Sequence, residues 1–577
     1  MATVPLQWPD DGTFHLGINM AGAVSAGAYT AGVLDFLIEA LEEWYKQKQP
    51  GHPPVPMHKV SIDVFSGASA GGMCAAISAA MVQAPFEHIH QPDRPPDQPT
   101  TNKFYDSWVN KIDIEWLLQS NDLQPDVPVV SLLDSTIIDQ IASAALTPVP
   151  LPNNPDYISN SLTLFLTLTN VRGVPFLLSG DATGSAEEYI SYYADRLQFE
   201  IVAKAGDAPL FPGAKPLPLA WKPADLPSGV TLPGSWPLLG DAAKATGAFP
   251  LFLKPRQVER HAADYMNSPW DPISYFPPQA VSPVWDLKEN QTFTTLNVDG
   301  GVTDNDPFQL AHDYLAVHNP LAFRDPRTGS LRNPPQPEKA NCAVLTVAPF
   351  PAGDTFANDY SFDKNSGILG MLPNLFTVLI SQSRFLGESL SAVGDGTSFS
   401  RFVLAPSDDR NPRRDALQCG LLSAFGGFFE RGFRAHDYQL GRRNCQRFLQ
   451  ETFRLSVDNP VIAAGLNAET RDAVIAEYSP EKPETVKTLP IIPLCGSAKT
   501  VIPYPERATI SSARVGHIVN WIVDRLHAVT GQMLDTTIGK GFESWTLRTG
   551  LNGLISTLGK SRLRGVLEAK LRDVIQG

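Results

Sequence analysis

Cysteine is scarce in this 577-residue chain: five residues, widely separated, with no C-x-x-C pair and no Cys/His cluster. That spacing excludes a disulfide-built scaffold and argues against a structural zinc site, and reduced thiols in a cytoplasmic compartment fit it best. Basic charge is also short. Lys and Arg number 46 against 60 Asp and Glu, a formal charge of −14. Nucleic-acid binding needs a basic footprint, so that class of partner is not expected. A polybasic membrane adsorber is excluded on the same count, and any lipid contact must rest on apolar burial or a local basic patch. The N-terminal residues MATVPLQWPDDG lack the basic n-region of a secretory signal. No uninterrupted apolar run of about 20 residues is seen, so a spanning helix is not expected. The nearest approach, residues 366–383, is broken by Pro373 and Asn374.

What is present is core material. Hydrophobic residues make up 43% and charged residues 18%, which excludes a disordered chain. Residues 14–20 read as a buried strand that enters a small-residue turn and then a helix over 28–45. Residues 60–66 read as a second strand, followed by a second tight turn and a helical run. Strand–turn–helix twice in succession opens a parallel α/β sheet. Helix is expected over 130–146, strands over 162–171, 174–179, 293–298 and 343–348, and helices over 368–393, 511–533 and 547–575. The Pro-rich stretches near 84–104 and 204–237 read as exposed loops or irregular insertions.

Three turns carry candidate chemistry. Gly67-Ala68-Ser69-Ala70-Gly71 is a G-x-S-x-G between an expected strand and an expected helix. A nucleophile on so sharp a turn needs small neighbours, here Gly67 and Gly71 at ±2, and the following helix directs its positive end at the serine. Asp299-Gly300-Gly301 closes the 293–298 strand, which places an aspartate where α/β sheets gather their sites. Asn305 and Pro307 would stiffen the loop beyond it. Gly22 to Gly32 follows the first strand, and its successive N–H groups suit an oxyanion. A P-loop is discounted there, since neither its lysine nor a G-x-G-x-x-G spacing is present.

Taken in order, these landmarks resemble the patatin-like phospholipase family, with 242–255 similar to the Ala/Ser-rich segment ahead of the family's aspartate strand. The resemblance covers about residues 14–348. It implies a three-layer α/β/α domain with a mostly parallel sheet, here over 12–350, followed by a mainly helical extension over 351–577. It implies a Ser69–Asp299 dyad that forms an acyl-enzyme, an oxyanion site at the N–H groups of Gly22, Ala23 and Val24, and no metal or cofactor. The implied substrate is a phospholipid or another acyl-ester lipid, met by transient contact with a membrane surface, by a cytoplasmic protein that is peripheral at most. The chain departs from the family at the first turn. Ala23 and Val24 replace two of three consecutive glycines, and Ala26 stands where a basic residue is usual. A weakened, lipid-binding scaffold and an acyltransferase that uses the same dyad are the alternatives this leaves.

Two histidines keep a triad open, His312 in FQLAHDYLAVH and His436 in GFRAHDYQLGRR. Both are more simply read as structural or surface residues. Arg431, Arg434, Arg442, Arg443 and Arg447 form one dense basic cluster, for which internal salt bridges are expected. The uncharged run 416–429 reads as a buried helix or, alternatively, as the lining of an acyl channel or a contact with a bilayer.

Overall fold

The computed structural model describes residues 7–538 except 10, 92–93, 149–153, 180–186, 223–225, 227–231, 267–282, 327–328, 351–398, 411–414 and 481–486, together with Gly565. The expected helices over 368–393 and 547–575 therefore fall outside the described residues, Gly565 apart.

The main strands are β1 (Thr13–Met20), β2 (Lys59–Gly67), β3 (Ile158–Ser179), β4 (Glu187–Lys204), β5 (Lys215–Ala220), β6 (Arg256–His261), β7 (Thr292–Asp299), β8 (Cys342–Val347) and β9 (Arg401–Leu404). They form one sheet in the order β9-β8-β1-β2-β3-β4-β5, with β7 added to β3 and β6 to β7. From β9 to β3 every pair is parallel. β3 is antiparallel to β4 and to β7. The principal helices are α1 (Gly27–Gln47), α2 (Ser69–Met81), α3 (Thr136–Ala145), α4 (Trp236–Thr246), α5 (Phe308–His318), α6 (Arg431–Glu451) and α7 (Ser512–Ile538). The result is the mostly parallel sheet with flanking helices expected of a three-layer α/β/α domain.

Period-two alternation explains the layers. In β1, Phe14, Leu16, Ile18 and Met20 enter one core with α1, α2, α4 and α6. A Cβ built on Gly17 would instead meet Leu315 and Ala311 of α5 on the opposite face. Two expectations differ from what is found. Residues 130–135 are not helical, because Ser135 is the N-cap of α3 and Asp134 accepts from the Thr136 N–H at 2.9 Å. Within the stretch expected to be irregular, 215–220 forms β5 and Trp236 begins α4. β5 lies at the sheet edge beside β4, and the Pro216 carbonyl accepts from the Ser235 N–H at 2.9 Å on its outer side, so the N–H groups that Pro216 and Pro218 lack are not missed by the ladder, a tertiary effect invisible to local composition.

α1, together with the short turn before it (Val24–Gln47), is long and apolar enough to cross a membrane, yet 94% of its apolar window is buried inside the protein. It is a core helix, and α6 from the C-terminal region lies against it. A Cβ on Gly32 would stand 1.9 Å from the Tyr438 carbonyl oxygen, and one on Gly441 would stand 2.3 Å from the Tyr29 carbonyl oxygen. The helices therefore cross backbone to backbone. Beside the crossing, Arg442 bonds Asp35 and reaches Glu39 at 2.6 Å, with all three side chains buried. Burial alone would raise the Asp35 carboxyl, but Arg442 and His88 outweigh it and hold it at about 2.

This crossing yields a sign test. Helix propensity alone would make Gly32→Ala stabilising by about 1 kcal/mol. The contact with the Tyr438 carbonyl reverses that, and a loss of about 1–3 kcal/mol is expected in urea unfolding. A gain in stability would show that α1 and α6 are not in contact in solution.

Candidate active site

Ser69 is brought to Asp299 by the register of β3. β2 runs along one edge of β3 and stops with Gly67 opposite Leu166. β7 arrives from the other direction and stops with Asp299 opposite Leu168. β4 fills the far edge of β3 across the same residues, so β2 and β7 share one edge and meet tip to tip. Thr167 lies between the two tips, and a Cβ on Gly300 would strike its carbonyl oxygen at 2.1 Å. Glycine is thus required where the DGG turn crosses β3. The Ser69 hydroxyl donates to Asp299 Oδ2 at 2.6 Å.

The backbone of the elbow is strained as the motif demands. Ser69 has φ of 54°, a left-handed value unusual for a residue with a side chain. A Cβ on Gly71 would lie 2.1 Å from the Met20 carbonyl oxygen, so the elbow is pressed against the end of β1. The Ser69 N–H donates to Thr246 Oγ1 at 2.9 Å, which ties the elbow to the end of α4. Local sequence did not single out Thr246; its last-turn place in the 242–255 landmark was the available signal.

Asp299 is buried at 3% exposure. Burial pushes its carboxyl up to about 7, against the opposing pull of the Ser69 hydroxyl and the Gly301 N–H, which donates to Oδ1 at 2.7 Å. Ser69, Ser107 and Asp299 are the polar members of a mostly apolar pocket with about 760 Å3 of empty space, part of it open to solvent. Trp108, Ile138 and Ile141 form one wall. Phe249 and Phe252 come from the turn after α4, and Phe425 and Phe428 from the C-terminal region. The 416–429 run thus supplies lining residues as well as buried ones.

The first turn lies across the site, though not as expected in every detail. The Gly22 N–H donates to the Asn305 carbonyl at 3.0 Å, so it is not an open donor. A Cβ on Gly22 would also collide with Asn305 Oδ1 at 2.1 Å, so the turn has no room for a side chain at this position. The N–H groups of Ala23 and Val24 have no partner among the described residues. Val24 has φ of 48°, a strained value for a β-branched residue, and its side chain lines the pocket. Ala26, where the family carries a basic residue, is wholly buried. Next to it Ser25 accepts from the Gly427 N–H at 3.0 Å and donates to the Ala424 carbonyl at 2.5 Å. The turn is anchored by the C-terminal region.

The triad alternative finds no support in these contacts. His312 bonds Asp313 at 3.0 Å and His436 bonds Asp437 at 2.7 Å, and neither is bonded to Ser69 or Asp299. The arginine cluster is largely consumed internally. Arg434 meets Asp113, Arg442 meets Asp35 and Glu39, Arg447 meets Asp409 and Glu451, and Arg431 meets Asn110. Among the described residues no group of three or more His, Cys, Asp or Glu is placed to hold a metal.

A mostly parallel sheet with a serine elbow and a DGG turn at adjoining strand ends defines a patatin-type hydrolase fold. The profile of the patatin-like phospholipase family matches residues 19–312, and the chain belongs to that family, with a longer C-terminal region beyond the match. Membership supports lipid acyl hydrolase activity in general, by an esterase- or lipase-type hydrolase. The chain is similar to the uncharacterized protein y4iI of Sinorhizobium fredii, 31% identical over 615 aligned positions that cover 98% of this chain and 82% of that one. Among solved structures, VipD from Legionella pneumophila aligns over 94% of this chain and 90% of its own at 11% identity, but a TM-score of 0.18 carries no structural argument.

Proposed function

We propose that the protein hydrolyses carboxylic esters of lipids through a Ser69–Asp299 dyad. The observation that carries the reading is the 2.6 Å bond from the Ser69 hydroxyl to a buried carboxylate at an apolar pocket. Ser69 Oγ attacks the ester carbonyl as Asp299 Oδ2 takes its proton. The open N–H groups of Ala23 and Val24 then receive the developing oxyanion, with Gly22 holding the turn's shape through Asn305. Collapse expels the alcohol, which leaves with the proton held on Asp299. Water then attacks the acyl-enzyme, gives its proton to Asp299, and releases the fatty acid as Ser69 recovers its own. The pocket receives the acyl chain. Ordinary aspartates are weak bases at neutral pH, and the raised Asp299 carboxyl supports this role by bringing basicity near the working range.

A fluorophosphonate is expected to label Ser69 and no other serine, in parallel with fatty-acid release from mixed phospholipid and neutral-lipid micelles. Labelling elsewhere, with Ser69 untouched, would remove the dyad from the mechanism. Acyl length is read separately. Ile141→Phe narrows the pocket and should lower long-chain relative to short-chain ester turnover by about tenfold or more, as a few methylenes are worth a few kcal/mol. An unchanged ratio would place the acyl chain outside this pocket.

A further inference from the structure

Ser25 carries the only polar side chain between Gly22 and Gly27, and it is wholly buried. Its hydroxyl is spent on one stretch of C-terminal chain. It donates to the Ala424 carbonyl at 2.5 Å and accepts from the Gly427 N–H at 3.0 Å, with the Cys419 carbonyl at 3.3 Å as a second acceptor within reach. A Cβ built on Gly427 would stand 2.7 Å from Ser25 Oγ and 2.5 Å from Cys419 Sγ. The two segments therefore meet with no room for a side chain between them.

Both sides of this contact are strained. Val24, just before Ser25, has φ of 48°, and Ala424, which accepts from Ser25, has φ of 72°. Neither is a glycine, and a left-handed backbone at such residues persists only where the surroundings over-determine it. On the side of the turn the fixings are few. The Asn305 carbonyl holds the Gly22 N–H, and the Ala26 N–H closes back on the Ala23 carbonyl at 2.8 Å. Val24 lies between these two bonds, lines the pocket together with Ser69, and carries one of the two open N–H donors.

The C-terminal stretch is fastened without Ser25. Asp437 of α6 accepts from the N–H groups of Gln418 at 2.9 Å and Cys419 at 2.8 Å. Arg434, one helical turn earlier, donates to the Gly427 carbonyl at 2.7 Å. Both side chains are buried. Phe425 and Phe428, which line the acyl pocket, thus ride on a segment that α6 holds in place. The dependence runs one way: the turn leans on the pocket wall, and the wall leans on α6.

We propose that Ser25 is a positioning residue, which holds Val24 in its left-handed conformation and so keeps the Ala23 and Val24 N–H groups turned towards the oxyanion. The inference rests on the ester-hydrolase reading and adds a residue to it. Ser25 touches neither substrate nor reacting atoms. Its effect is therefore confined to charge that develops on the carbonyl oxygen, and the acyl chain is bound as before.

Two ketones of the same medium alkyl length separate these states in the full chain. Ser69 Oγ adds to the carbonyl carbon of the trifluoromethyl ketone, the serine proton passes to Asp299, and the carbonyl π electrons come to rest on oxygen as an oxyanion. The methyl ketone fills the pocket without adding. Ser25→Ala is expected to weaken the trifluoromethyl ketone about 10- to 100-fold and to lower kcat on a soluble ester by a similar factor. Methyl ketone binding should stay within about twofold. Ser25→Cys keeps the shape of the side chain and guards against misfolding. Its thiol is a weak donor and acceptor, so the same pattern is expected with a smaller loss. Wild-type discrimination between the ketones in both variants, whatever the change in Tm, overturns the proposal and leaves Ser25 a stabilising contact. Equal weakening of both ketones also overturns it, since Ser25 would then shape the pocket and not the turn. A wild type that forms no adduct and turns over no ester removes the hydrolase reading, and this role of Ser25 with it.

Discussion

Ser69→Ala should abolish fatty-acid release, lowering kcat by about four to six orders of magnitude. The size of the effect follows from the site's economy of polar groups. Only a few polar side chains face the pocket, and no histidine bonds Ser69 or Asp299 to take over if the serine is removed. What remains is the open N–H pair of Ala23 and Val24, which can polarise a carbonyl but cannot form an acyl-enzyme. The variant should fold, because alanine keeps the same backbone and the Ser69 N–H bond to Thr246 does not involve the side chain. Single-turnover assays with a micellar ester, together with thermal unfolding, check both halves. Retention of more than about one percent of wild-type kcat would place the nucleophile elsewhere, since loss of a covalent nucleophile normally removes far more.

Asp299→Asn should separate activity from stability in opposite directions. As the base, Asp299 works only when ionised, so wild-type kcat/KM should rise with pH through about 7 and then level. The Asn variant should lose about three to four orders of magnitude and lack that limb. Stability runs the other way. The folded carboxyl is raised to about 7 from an ordinary 3.8, so the folded state retains a proton that the unfolded chain releases. That contribution is complete below about 3.8 and is lost as pH rises through about 7. An asparagine has no charge to strand in the interior. The variant should therefore gain about 1–4 kcal/mol over wild type at pH 8 and almost nothing at pH 4, read from urea midpoints at the two pH values. Equal stability at both pH values would mean that Asp299 is solvated, and its role as a tuned base would fall with it. The general form is familiar: a functional carboxylate held in an apolar site stores a cost that its removal releases.

The turn after the first strand shows what a motif can conceal. Gly22, Ala23 and Val24 were equivalent donors by sequence, yet Asn305 engages the first and leaves the other two open. Asn305 was legible only as a loop stiffener. Its carbonyl reaches Gly22 because α5 sets the 300–307 turn beneath the end of β1, a placement no local pattern encodes. The loss of the family's basic residue also takes on a physical meaning. Ala26 is wholly buried, and Ser25 beside it is bonded to the 419–427 region, so the turn is secured by C-terminal chain.

By itself, the sequence determined which residues are the candidates for the site and which local shapes hold them. Small residues around Ser69, paired glycines after Asp299 and a buried-strand pattern before each turn are short-range requirements of backbone geometry, so they are written in consecutive positions. The tertiary structure alone decided how those pieces meet. β2 and β7 converge because both pair with one edge of β3, and that depends on strand register across more than two hundred residues. β5 forms within a Pro-rich stretch because β4 offers it a partner. α6 reaches the centre of the protein because Gly32 and Gly441 let two backbones touch and because Arg442 finds Asp35 and Glu39 there. Register, close approach and charge pairing are relations between distant residues, and their free energy exists only once the chain has brought them together.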